Sequence, residues 1–303
     1  MRHPRHVAIC AAVALASGCW GLYWLPQREL EAGGLTGGWG TIAQYLIPLA
    51  LLSPVALWRW SRGRETGVRF LLLGTLLGGG IVCYAMSFLL TEVVRALLLF
   101  YLTPLWATLI EIAIARRLPG WSRALSLALA LAGVWIIFGV SGEFPWPRNA
   151  GDWLALAGGA MVATGAARAH AVQPEGVFGL LFSFFLYGSA VAVGLSLLLT
   201  GELGPMPQAE SWGAMLPWLV VFSIVFLIPT NGLLIWSPAK LGAGLFGILI
   251  LSEIIFGTIS AALWAGEDFG WREATGGCLI VLAGLSEVLF SRAPADGAGH
   301  SAT

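Results

Sequence analysis

Ten long apolar runs, separated by short breaks rich in charge, Pro or Gly, set the pattern of the chain. The first five fall at about 7–26, 40–58, 68–90, 93–115 and 123–141. The second five fall at about 152–171, 176–199, 215–236, 239–262 and 273–291. Each matches the roughly 20 residues that carry a helix across a bilayer core, so the pattern predicts an all-α polytopic membrane protein with ten transmembrane helices. Most connections are short, which makes the helices close neighbours and leaves no room for a soluble domain. The first run follows Arg2 and Arg5 but ends in Trp20, Tyr23 and Trp24. Those bulky residues do not form a small-residue cleavage site, so the run reads as a transmembrane helix rather than a cleaved signal.

Composition narrows the class. Of 303 residues, 58% are hydrophobic and 11% charged, against about 25% charged in soluble domains. So few charges cannot coat a soluble domain of this size, which excludes a soluble enzyme as well as a disordered or fibrous chain. The formal net charge is zero, so no global field gathers nucleic acid. Cys10, Cys19, Cys83 and Cys278 all lie in apolar runs without a C-x-x-C pair, and neither a disulfide framework nor a thiolate metal site is expected.

The basic residues also test the helix count. With the N-terminus in the cytoplasm, twelve fall on the cytoplasmic side: Arg2, Arg5, Arg59, Arg62, Arg64, Arg69, Arg116, Arg117, Arg123, Arg168, Lys240 and Arg292. Four fall outside: Arg28, Arg95, Arg148 and Arg272. A missed or invented helix would reverse this bias partway along the chain. Both termini are therefore expected in the cytoplasm.

An internal repeat accompanies the count. Gly120-Trp121 precedes Leu131-Ala132-Gly133, and Gly270-Trp271 precedes Leu282-Ala283-Gly284. Leu102-Thr103-Pro104 matches Leu251-Ser252-Glu253 at an offset of 149. An odd number of helices per half turns the second half upside down. The expected domains are residues 1–147 and 148–303, each a five-helix repeat, in the inverted plan of many secondary transporters.

These features resemble the drug/metabolite transporter superfamily, specifically its ten-helix EamA type. The resemblance covers nearly the whole chain. It rests most on Tyr84-Ala85-Met86 leading to Tyr101-Leu102-Thr103-Pro104-Leu105-Trp106, and on Gly266-Glu267, Gly276 and Leu282-Ala283-Gly284. Glu92-Val93 followed by Tyr101-Leu102 and Pro104 is similar to the bacterial amino-acid exporters of this type. The resemblance implies a carrier of the bacterial cytoplasmic (inner) membrane, without an ATPase domain, exporting amino acids or other small metabolites by alternating access. Purine metabolites, sugars and lipophilic drugs remain alternative cargoes. Two departures bear on cargo: Ile254 replaces the proline of a usual Glu-Pro pair, and Thr103 stands where Glu is frequent.

Glu253 is the sharpest candidate for function, a carboxyl near the middle of the ninth run. Such a residue is costly in the membrane and usually faces a cavity or a polar partner; it is the candidate for proton coupling. Glu111 and Glu287 lie near helix ends, where pairing with nearby Arg explains them. Glu92 and Arg95, three apart, share a helix face; they read either as a local ion pair or as opposite charges at the mouth of a cavity, suited to a zwitterion. Trp20, Trp24, Tyr84, Phe88, Tyr101, Asn231 and Trp236 are candidates for the cavity wall, although lipid anchoring or core packing accounts equally well for any one aromatic. Pro104 and Pro229 are expected to break the fourth and eighth helices, as helices around transporter sites often are.

Rival classes find less support. His3, His6, His170 and His300 lie in tails or a loop, which gives an intramembrane enzyme neither a metal cluster nor a Ser–His pair. A channel filter needs a ring of like groups, and Glu253 is one carboxyl. No G-x-x-x-x-G-K-[ST] motif occurs, so transport would run on a gradient. The expected partners are a small-molecule cargo, membrane lipids and protons, without nucleic acid or cofactor. A monomer is expected, with a dimer left open.

Overall fold

The computed structural model describes residues 4–102, 105–106, 109, 121–138, 147–172, 176–199, 206–241, 246, 249–266 and 270–290. Among these the secondary structure is helical, with no strand. The chain is an all-α polytopic membrane protein. Five segments are long and apolar enough to cross a membrane: His6–Ala32, Gly38–Ser61, Leu71–Leu90, Val177–Leu198 and Ala209–Trp236.

The first of these is two helices, α1 (Pro4–Gly21) and α2 (Trp24–Ala32). Between them Leu22 N–H and Tyr23 N–H bond back only three residues, to Cys19 and Trp20, which tightens the turn. The helix therefore passes beyond the apolar run, through Gln27, Arg28 and Glu29, to Ala32. Gly34 and Gly37 then take positive φ, 91° and 62°, a conformation open to glycine, and turn the chain into α3 (Gly38–Ser61). α4 (Leu71–Leu90) and the short α5 (Val93–Phe100) follow.

α5 stops at Phe100, and Tyr101 and Leu102 leave the helix before it resumes at Leu105 and Trp106. The fourth run is thus interrupted where a Pro signalled it; Thr103 and Pro104 themselves lie outside the described residues. α6 (Trp121–Phe138), α7 (Ala150–Val172) and α8 (Val177–Leu198) come next. α9 (Ala209–Phe222) runs through a π-helical turn, Ser223–Leu227, into α10 (Ile228–Trp236). Pro229 does not break this span. It sits in the first turn of α10, where a missing N–H is tolerated, and the disturbance is taken up by the wider turn just before it. α11 (Ser252–Ser260) passes through a second π turn, Ala261–Ala265, and α12 (Trp271–Phe290) closes the described chain.

α4 lies against both α7 and α8, α5 against α7, α3 against α8, α1 against α11, and α6 against α12. Glycine makes the closest approaches possible. A Cβ on Gly21 would come within 2.6 Å of the Gly257 nitrogen and nearer still to the Glu253 carbonyl oxygen. One contiguous buried core unites Trp20, Tyr23, Trp24, Tyr84, Phe88, Phe100, Tyr101, Leu227, Ile254 and Ile280.

Candidate functional site

On α11 the residues divide by helical period. Ile255, Phe256 and Ile259 are exposed on the outer face, while Glu253, Ile254, Gly257 and Ser260 are buried. That periodicity turns Glu253, 8% exposed, into the core, where hydrocarbon offers it no partner and a desolvated carboxylate needs hydrogen bonds. Two phenols supply them. Tyr84 of α4 donates to Glu253 Oε1 at 2.8 Å, and Tyr101, just past α5, donates to Oε2 at 2.7 Å. Tyr101 O–H also lies 3.3 Å from the Ile250 carbonyl. Aromatic packing holds both phenols: the Tyr84 ring stacks on Phe100 at 4.0 Å and meets Phe88 at 4.6 Å, and Phe100 meets Tyr101 edge-on at 5.4 Å.

The remaining sequence candidates divide among other contacts. Trp20 Nε1 donates to Thr230 Oγ1 at 3.2 Å, next to Asn231, and Trp24 Nε1 donates to Ser260 Oγ at 3.0 Å. Asn231 is buried but turns its amide to the Leu227 carbonyl, 2.8 Å away. Trp236 is half-buried, with the Lys240 ammonium 5.9 Å above its ring. Glu92 is exposed at the start of α5. The structure thus brings Tyr84, Phe88, Tyr101 and Glu253 together, sets Trp20, Trp24 and Asn231 in adjoining helix contacts, and leaves Glu92 and Trp236 at helix ends.

Arg95 is engaged by an acid that sequence reading passed over. Asp152, 0% exposed in the first turn of α7, accepts from Arg95 Nε at 2.8 and 2.9 Å and from its terminal nitrogen at 2.6 Å. Thr91 Oγ1 and the Arg148 N–H add further bonds at 2.8 Å each. Asn149 joins in by donating to Thr91 at 3.2 Å and accepting from the Asp152 N–H at 2.8 Å. A carboxylate so fully satisfied, with a bidentate guanidinium, is a clamp between α5 and α7. Its signal in the sequence was an Asn–x–x–Asp at a helix start, which reads as local capping.

A third polar group was also missed. Gln27 of α2 donates to Thr41 at 3.0 Å and accepts from Gln44 Nε2 at 2.8 Å, all three being buried. The Gln44 Oε1 atom has no protein partner. Among the described residues no cluster of three or more His, Cys, Asp or Glu could hold a metal ion.

Residues 7–139 match the EamA-like transporter family. An EamA-like domain occupies that part of the chain. The match takes in Tyr84, Tyr101 and Arg95 but stops before Asp152 and Glu253. No curated protein matches the chain. Among similar solved structures is one described only as "Crystal structure of protein", with no organism stated. It aligns over 92% of this chain and 98% of its own, at a TM-score of 0.54 and 17% identity. The likeness is one of fold. The findings agree with a membrane transporter of small molecules.

Proposed function

We propose that the protein is a secondary transporter that exports amino acids across a bacterial cytoplasmic membrane by alternating access. The observation that carries the reading is Glu253, a carboxyl buried in the core and held by Tyr84 and Tyr101. A carboxylate in that setting is costly and is typical of a cation or proton pathway. The ammonium of an amino acid, or a coupling proton, is the cation it would receive. Trp20, Trp24 and Phe88 would enclose the cargo side chain. Arg95 is committed to Asp152, so the carboxylate end of a zwitterion would be met by other donors.

The architecture proposed is ten helices in two inverted repeats, 1–147 and 148–303, with both ends cytoplasmic. Two kinds of contact support it. Tyr101 and Ile250, which the repeat offset of 149 makes equivalent, touch each other, as positions on a pseudo-two-fold axis must. On the crossing of α6 and α12, Ser126 Oγ bonds the Ala283 carbonyl at 2.8 Å. A Cβ on Gly133 would stand 2.6 Å from the Gly276 carbonyl. The 151-residue offset of the Leu-Ala-Gly repeat maps Ser126 and Ala283 onto Gly277 and Ala132. Each contact is then the image of the other to within one residue.

Counterflow in proteoliposomes against a pooled, labelled metabolite panel tests the function. Exchange of amino acids is expected. Exchange confined to purines, sugars or lipophilic drugs overturns the cargo, and no exchange with any member overturns the transporter reading.

A further inference from the structure

The helices sort into two groups by their contacts. α4, α5 and α7 pack together, and α8 joins them through α4. α1 packs on α11 and α10, and α2 is bonded to the α11 end through Trp24 and Ser260. The polar bonds reinforce the division. Arg95, Thr91 and Asn149 bond with Asp152 or each other inside the first group. Trp20–Thr230, Trp24–Ser260 and the bond from Ser252 to the Ala14 carbonyl lie inside the second. The bonds from Tyr84 and Tyr101 to Glu253, and from Tyr101 to Ile250, pass from one group to the other.

Resting on the transporter reading, we infer that the Tyr84–Glu253–Tyr101 bridge is the catch between two moving helix groups. Tyr84 and Tyr101 are positioning residues that act through Glu253, and neutralisation of Glu253 by cargo or proton releases them. The physics is that of charge-assisted bonds, roughly twice as strong as neutral ones. A cation or proton arriving at Glu253 removes the charge that both phenols share, so recognition and unlocking become one event. By linkage the coupling is reciprocal: opening the catch favours capture of the cation. The interface around the bridge is otherwise apolar. Leu97 meets Gly257 there, a contact that can part without stranding a polar group.

Amide hydrogen exchange on the full-length protein in lipid nanodiscs tests this without any cargo. Y84F/Y101F keeps both rings and their stacking but removes the donors. E253Q keeps the shape but removes the charge. Both are expected to raise exchange in 71–90 and in 252–260 about tenfold, the equilibrium effect of losing one charged hydrogen bond. Exchange in α6 and α12 should stay at the wild-type level, which reports an intact fold. Unchanged exchange in 71–90 and 252–260 for either variant overturns the catch. Because the measurement needs no transported solute, a failed catch with positive counterflow, and a working catch with none, separate the two readings.

Discussion

Removal of the Asp152 carboxylate is the sharpest test of how the helices are held. In Asp152→Ala the Arg95 guanidinium, whose side chain is only 12% exposed, loses its bidentate partner, while Thr91 Oγ1 and the Arg148 N–H lose their acceptor. Breaking a buried pair from one side costs about 3–5 kcal/mol, because the surviving charge is left uncompensated. Separately, the Arg, Thr and backbone bonds would sum to more than that, but bonds that share one carboxylate do not add. Asp152→Ala should therefore lose about 4 kcal/mol. Asp152→Asn, which keeps one acceptor for Thr91, should lose about 2 kcal/mol. Arg95→Met/Asp152→Leu removes both charges and restores apolar volume, so it should lie within about 1 kcal/mol of wild type. The measurement is unfolding by SDS in mixed micelles, followed by Trp fluorescence, with the coupling energy taken from the cycle. Single-variant losses under about 1 kcal/mol, the range of exposed pairs, would refute a clamp, as would strictly additive variants.

Three further outcomes follow from the same contacts. Gly21→Ala should destabilise the α1–α11 crossing and reduce folded yield, since its Cβ would meet backbone at 2.6 Å; an unchanged yield and melting point would mean that the helices separate freely there. Glu253→Gln should insert normally but flatten the dependence of flux on pH between about 5.5 and 8, measured in proteoliposomes with the reconstituted protein quantified; a wild-type pH curve would leave Glu253 a structural acceptor. Reporter fusions after residues 34, 147 and 206 should face outward and those after 64, 120 and 174 inward; reversal at any one breaks the ten-span map.

The helical runs were legible because hydrocarbon demands apolar side chains over a fixed length, and Glu253 because a mid-run carboxyl violates that demand. Other features were not, for equally physical reasons. The first run ends near residue 26 in hydropathy, yet α2 continues to Ala32, because Gln27 is satisfied by Thr41 and Gln44 from α3. Asp152 looked like a helix-start residue because its principal partner is 57 positions away. Tyr84 and Tyr101 were recognisable as wall aromatics, but the work of their hydroxyls depends on a partner 169 and 152 residues on. The π turns leave no mark in the hydrophobic pattern.

The Ser223–Leu227 turn has a consequence for register. A π turn holds one more residue than an α turn, and one residue on an α-helix is about 100° of rotation. The span therefore presents one angular face up to Phe222 and another from Ile228, much as a splice in a screw thread offsets everything beyond it. Thr230 meets Trp20 and Asn231 is buried only in that offset phase. Excising a single residue between Ser223 and Leu227 would heal the thread and keep the span helical. It would also swing Thr230 away from α1 and carry the exposed face of Pro229 toward the core, so a one-residue deletion would re-aim a whole half-helix while leaving its composition almost untouched.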